Sequence, residues 1–354
     1  MDGYFKPKEA LFYEHLEKNS VLCRVCRRQC RIPDGEYGYC HTRYNKGGIL
    51  YTLAYGRVSS SSIAPAEIKP LFHFFPGSTW LSLGTLGCNF FCPGCQNWEI
   101  AYARISVFDE KIQPPNTSYL SPEGAVATAG RNGCLGLSFT YNEPTVWLEY
   151  TLDCARLAKE AGLMTNYVTN GYMSEEALDA IGPFLNAFRT DLKCFSSNCY
   201  KQTAHITGFS GILENIERAK FRWGMHIEIV TNVTPGFNDD ENQLSELSEW
   251  IVDVLGRDVP WHVTRFVPRH MLNHLPCTPV QSLETARAIG THNGLRYVYI
   301  GNVPGHAAQN TFCPECGSLL IERENYTVLR YRIEKGKCPE CGCTIAGRWE
   351  NSQC

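Results

Sequence analysis

Short apolar runs recur along the middle of the chain, each followed by a loop and then a longer stretch patterned like a helix. The runs Trp80 to Leu83, Leu135 to Phe139, Met164 to Val168, Ala187 to Leu192, His226 to Val233, His262 to Val267 and Tyr297 to Ile300 are of strand length. Between them, Ser121-Pro122-Glu123 places a capping serine before a proline at the first helical position, and Ser174-Glu175-Glu176 opens another helix with the same kind of cap. Strand and helix in alternation predict βα units and a parallel sheet. Six or seven units in roughly 220 residues fall short of a closed eight-fold barrel, so the expected fold class is α/β, an open or partial (β/α)6-type barrel. Its active site belongs at the C-terminal ends of the strands.

Three domains are expected. Residues 1–79 form an N-terminal cysteine-containing extension that ends on the apolar run Leu71-Phe72-His73-Phe74-Phe75, residues 80–305 the barrel, and residues 306–354 a small C-terminal cysteine module. No internal repeat or low-complexity tract interrupts them.

Composition narrows the function. With 44% hydrophobic and 19% charged residues among 354, the chain can bury a sizeable core. Lys and Arg number 33 against 36 Asp and Glu, a formal charge of -3, so there is no basic field to hold nucleic acid or an anionic membrane. The first residues lack the apolar core of a signal peptide and no run is long enough to span a bilayer, which leads to the expectation of a cytoplasmic protein. In that compartment 18 cysteines argue for metal or redox chemistry rather than a disulfide framework. Eleven fall into three groups: Cys23, Cys26, Cys30 and Cys40; Cys88, Cys92 and Cys95; and Cys313, Cys316, Cys338 and Cys341. Cys134, Cys154, Cys194, Cys199, Cys277, Cys343 and Cys354 show no such spacing and read as core or surface thiols, the pair Cys194 and Cys199 following a candidate rim.

The central group, Cys88-Asn89-Phe90-Phe91-Cys92-Pro93-Gly94-Cys95, sits directly after the first expected strand. Three thiolates are one short of a closed zinc site, whereas on a four-iron cluster they leave one iron open to substrate or cofactor. Asp191 and Lys193 are two residues apart, so on a strand they share a face.

The CxxxCxxC loop after a first barrel strand resembles the radical S-adenosylmethionine (SAM) superfamily. The resemblance implies a [4Fe-4S] cluster on Cys88, Cys92 and Cys95 whose open iron chelates SAM. Reductive cleavage to a 5'-deoxyadenosyl radical and hydrogen abstraction from a substrate would follow, with electrons from a low-potential donor such as ferredoxin or flavodoxin. It further implies that Glu143, in Thr140-Tyr141-Asn142-Glu143-Pro144-Thr145, holds the SAM amino group. Thr169, Asn170, Asp191 and Lys193 would line its ribose and carboxylate, Val233 to Gly236 would meet the adenine, and His262 would contact the ribose. One departure is Gly94, where the superfamily usually has an aromatic residue near the adenine.

Across nearly the whole chain, including Glu9 to Tyr13, Lys69 to Phe74 and Cys95 to Ile100, the sequence resembles the AmmeMemoRadiSam system radical SAM enzymes, which are similar to pyruvate formate-lyase activating enzyme. Memo-like and AMMECR-type proteins are the partners this implies. A glycyl-radical activase and a non-catalytic metal-binding scaffold are the alternatives.

The tail carries Cys313-Pro314-Glu315-Cys316-Gly317 and Cys338-Pro339-Glu340-Cys341-Gly342, two knuckles 21 residues apart. They suit a zinc ribbon or a rubredoxin-like site holding zinc or one iron. Interleaved glutamates argue against nucleic-acid binding there. Cys23, Cys26, Cys30 and Cys40 supply four more thiolates, for zinc or for an auxiliary iron-sulfur cluster.

Overall fold

The computed structural model describes residues 6–105 and 116–349. All seven expected apolar runs form strands of one sheet. With one further strand the order across the sheet is β1 (Ser60–Pro65), β2 (Thr79–Gly84), β3 (Gly136–Phe139), β4 (Met164–Thr169), β5 (Ala187–Asp191), β6 (His226–Val233), β7 (Trp261–Arg265) and β8 (Val298–Gly301). From β2 to β8 neighbours pair in parallel, and the connections between them carry the helices α1 (Pro122–Arg131), α2 (Leu148–Glu160), α3 (Glu175–Ile181), α4 (Ser210–Phe221), α5 (Glu241–Trp250) and α6 (Val280–His292), among others. Ser121 and Ser174 cap α1 and α3 as expected, each side-chain oxygen accepting from a backbone N–H at 3.1 Å.

One feature departs from the expected layout. β1 belongs to the segment placed outside the barrel, yet it pairs antiparallel with β2 from Ser60↔Gly84 to Pro65↔Thr79. The sheet therefore begins inside residues 1–79. It is open, in line with the expected open or partial barrel, with β1 and β8 as its two edges.

The faces of the sheet differ in chemistry. Leu81, Leu83, Leu137, Phe139, Tyr167, Phe188, Ile229 and Val263 alternate toward the helices and share a core with Ala125, Leu148, Ala155, Ile212, Leu247 and Leu283. On the opposite face Ser82, Ser138, Asn166, Arg189, Glu228 and His262 are buried polar side chains set among the apolar Trp80, Ala187 and Val230. Burying them calls for hydrogen-bond partners: Ser138, Arg189 and His262 bond to other side chains of the sheet, and Glu228 also draws on a flanking segment.

At the N-terminal ends of the strands the partner is residues 71–75. The buried Glu228 carboxylate accepts the backbone N–H groups of Phe72 (3.0 Å) and His73 (2.8 Å), with His226 Nε2 at 3.0 Å and His262 Nε2 at 2.6 Å. The C-terminal module, with strands β9 (Thr311–Phe312), β10 (Leu319–Glu324) and β11 (Thr327–Tyr331), packs onto the same end. Arg323 donates to Phe72 O (2.9 Å) and Thr311 Oγ1 (2.8 Å), Tyr299 Oη lies 2.8 Å from Thr311 Oγ1, and Arg348 N donates to His73 O at 2.7 Å. Among the described residues no helix is long and apolar enough to cross a membrane.

Burial alone would raise the Glu228 pKa, but the hydrogen bonds from His226 and His262 outweigh it and hold the carboxyl below its ordinary 4.5. A depressed carboxyl contributes stability that is complete above its unfolded value and is lost as pH falls through the folded one. Glu228→Gln should therefore lower unfolding free energy at pH 7 by about 1–3 kcal/mol, the cost of leaving buried donors unmatched. Denaturant melts at stepped pH test this: the gap between variant and wild type should shrink below pH 4.5, and a gap that grows on acidification contradicts the assignment.

Candidate functional site

The loop after β2 is held from several sides. Asn142, after β3, accepts from Thr85 N (3.1 Å) and donates to Gly87 O (2.6 Å), and Asn97 Nδ2 donates to Tyr141 O at 2.6 Å. Gly87 has a φ of 80°, and a Cβ there would stand 2.4 Å from the carbonyl oxygen of Cys40, so only glycine fits. This fixes Cys88, Cys92 and Cys95 in a cleft of about 430 Å³ at the C-terminal ends of the strands.

Lys69, Tyr141, Glu143, Thr169, Asn170, Arg189, Asp191 and Lys193 line the same cleft. Five of the six expected cofactor-contact residues thus meet the three cysteines. His262 does not. It lies near the start of β7, buried, bonded to Glu228 and edge-on to Phe72 at 4.8 Å, so its expected ribose contact gives way to a part in the packing below the cleft. Burial lowers the His262 pKa, which keeps the ring neutral. Val233 to Gly236 also stay off the cleft lining.

Glu143 proves to be a brace as well as a cleft residue. Its Oε1 accepts from Thr145 N (3.0 Å), Thr145 Oγ1 (2.5 Å) and Thr169 Oγ1 (2.7 Å), and its Oε2 from Asn170 N (2.7 Å). One buried carboxylate therefore ties the loop after β3 to the loop after β4. Asn170 carries the tie onward, donating from Nδ2 to Asn89 Oδ1 in the cysteine loop at 2.8 Å. Burial raises the Glu143 pKa against these hydrogen bonds. Oε2, with a single donor, keeps room for a ligand cation.

Asp191 and Lys193 share a face as expected and form an ion pair at 3.2 Å. Arg189, two residues earlier on that face, pairs with the other oxygen of Asp191. Burial would neutralise both, but Arg189 and Lys193 hold the Asp191 carboxyl below its ordinary value, while Asp191 and the Cys92 sulfur hold the Lys193 ammonium up. Arg189 and Lys69 were not read from the sequence. Extending the period-two alternation backward from Lys193 and Asp191 finds Arg189; Lys69 precedes β2 in a loop and has no such signal. Burial, then Arg189, lowers the Lys69 pKa to about 8.

The three central thiols are half-buried, and burial pushes each pKa up, Cys92 to about 11. A metal would supply the positive charge that the thiolates need there. Three soft sulfur donors, with no fourth cysteine among the described residues of the cleft lining, fit a cluster with one open iron. Gly94 has a local cause: a Cβ would come within 3.1 Å of both Phe266 and Leu272, so the space beside the loop is already taken by residues that follow β7.

The outer groups lie on opposite sides of the fold. Cys313, Cys316, Cys338 and Cys341 have all four sulfurs within 4.8 Å of one another, with Cys313–Cys341 at 3.5 Å and Cys316–Cys338 at 3.7 Å. Their knuckles repeat one turn: Gly317 N donates to Cys313 O and Gly342 N to Cys338 O, with φ of 73° and 74° at the two glycines. This set sits at the N-terminal ends of the strands, and strands of five or six residues at ~3.3 Å each separate it from the cleft by about 17–20 Å. A larger cavity at that end, about 740 Å³ and lined by Phe75, Trp223, Arg348 and Trp349, contains no cysteine. Cys23, Cys26, Cys30 and Cys40 instead line a small cavity beside the central loop, together with Asn89. Cys194 and Cys199, expected as separate thiols, are joined in a disulfide just after Lys193. Cys354 lies outside the described residues.

A family model described as the Radical SAM superfamily matches residues 83–250. An uncharacterised protein of Methanocaldococcus jannaschii is 40% identical over 339 residues, which are 95% of this chain and 98% of that one. The isethionate sulfite-lyase activating enzyme of Nitratidesulfovibrio vulgaris is 30% identical over 115 residues, 32% of this chain and 37% of that enzyme. Among solved structures, a domain of pyruvate-formate lyase-activating enzyme from Bacteroides vulgatus is 19% identical, with a TM-score of 0.39, over 47% of this chain and 98% of that domain.

Two outcomes follow from the site geometry. Glu143→Gln turns an amide NH₂ toward groups that themselves donate, so it should cost about 1–3 kcal/mol of stability by denaturant unfolding; a variant as stable as wild type would show that the loops do not depend on this carboxylate. Cys338→Ser should lower bound metal by about one equivalent in elemental analysis and destabilise the C-terminal module, because structural metal binding and folding are linked. Unchanged metal content in that variant would dismiss the site.

Proposed function

Because the chain belongs to the radical SAM superfamily, which implies a [4Fe-4S] cluster and SAM, we propose that it is an enzyme that cleaves SAM reductively and abstracts hydrogen from a substrate yet to be identified. The carrying observation is the placement of Cys88, Cys92 and Cys95 in one cleft with Glu143, Asp191 and Lys193. When bound, the cluster and SAM supply a 5'-deoxyadenosyl radical. The protein's part is to bind, orient and keep water out. Glu143 Oε2 is available to a ligand ammonium, while Lys69, Arg189 and Lys193 offer cations to a carboxylate in a cleft where burial strengthens both contacts.

A low-potential protein such as ferredoxin or flavodoxin serves as electron donor in this reading, and Memo-like and AMMECR-type proteins as partners. The C-terminal four-cysteine site holds zinc and clasps the barrel. Its place on the far end of the strands favours that role over relaying electrons to the cleft. A second reading, activation of a glycyl-radical enzyme, draws on the partial similarity to isethionate sulfite-lyase activating enzyme.

Anaerobic reconstitution with iron and sulfide, followed by dithionite and SAM, should yield 5'-deoxyadenosine. The Cys88→Ala/Cys92→Ala/Cys95→Ala variant should yield none. Equal product from the triple variant would refute the assignment, and adding candidate partner proteins to the wild-type assay is the route to the substrate.

A further inference from the structure

Sulfur spacing separates the three cysteine groups by kind. In the C-terminal set all four sulfurs lie within 4.8 Å of one another. That is the geometry of one ion: metal–sulfur bonds of about 2.3 Å in a tetrahedron put the sulfurs about 3.8 Å apart. Among the described residues, no three of Cys88, Cys92 and Cys95, nor any three of Cys23, Cys26, Cys30 and Cys40, approach so closely. The first of these wide sets is the one that the superfamily assigns to a cubane, in which each thiolate binds a different iron at a different corner.

The N-terminal set is nevertheless a built site. Its four cysteines line one cavity, and Cys26 feels the charge of Cys23, Cys40 and Cys30. Val25, Ile32 and Val146 give the cavity apolar walls, and Arg28 and the Glu149-paired Arg43 also line it.

We propose that Cys23, Cys26, Cys30 and Cys40 hold a second [4Fe-4S] cluster, where the sequence alone left zinc and a cluster open. It lies beside the first. Asn89 follows Cys88 in the chain and lines the N-terminal cavity, and the Cys40 carbonyl packs against Gly87. This inference rests on the proposed function only for the presence of the first cluster, and its test reads the two separately.

Acid-labile sulfide is the deciding measurement, because zinc and a rubredoxin-type iron contribute none. Anaerobically reconstituted wild-type protein should carry about eight sulfides per chain, and the Cys88→Ala/Cys92→Ala/Cys95→Ala variant about four, with an EPR signal on reduction. Cys26→Ser/Cys30→Ser should lose about half of the wild-type sulfide. About four sulfides in wild type together with about two equivalents of zinc would overturn the proposal, whatever the variants do. A wild-type count of about eight without SAM cleavage would reject the proposed function and leave the second cluster standing.

Discussion

A polar face on a buried sheet must be met by hydrogen bonds, and the rest of this structure is arranged around that demand. Ser82, Ser138, Asn166, Arg189, Glu228 and His262 would each be costly if left without partners. At the N-terminal end of the strands the protein answers for itself: residues 71–75 and the C-terminal module enter and satisfy Glu228, His73 and Tyr299. Toward the cleft the answer is incomplete. Ser82 Oγ, Asn166 Nδ2 and Arg189 Nε have no protein partner, and the cysteines, Lys193 and Asp191 gather above them.

The same division sorts the cysteines. A tight set of sulfurs belongs to the closed end, where its spacing suits a single ion beside a small module that has little core of its own. Both wide sets belong to the open end, joined through Asn89, which bonds to Asn170 and through it to the Glu143 carboxylate. Glu143 thus couples ligand-facing chemistry to loop geometry, and its loss would be felt in both.

The strands and the cysteine groups were legible because each depends on local pattern: strand-length apolar runs, a cap followed by proline, knuckles ending in glycine. Asp191 and Lys193 were legible by alternation, and Arg189 should have been. His262 misled because its position depends on how far along β7 it sits and on the arrival of Phe72 and Glu228 from distant segments. β1 was missed for a related reason. Ser60-Ser61-Ser62-Ile63-Ala64-Pro65 has neither a strong apolar run nor clear alternation, and its strand character comes from the exposed edge of β2.

That weak strand has a consequence for the behaviour of the molecule in concentrated solution. Without it, β2 would present the sheet's central hydrogen-bonding groups to any passing extended chain, the usual start of edge-to-edge aggregation. With it, the outermost strand begins with three serines and ends on a proline that cannot donate to a neighbour. The polar, low-propensity sequence that hides β1 from a reader also makes it a poor template for a second molecule.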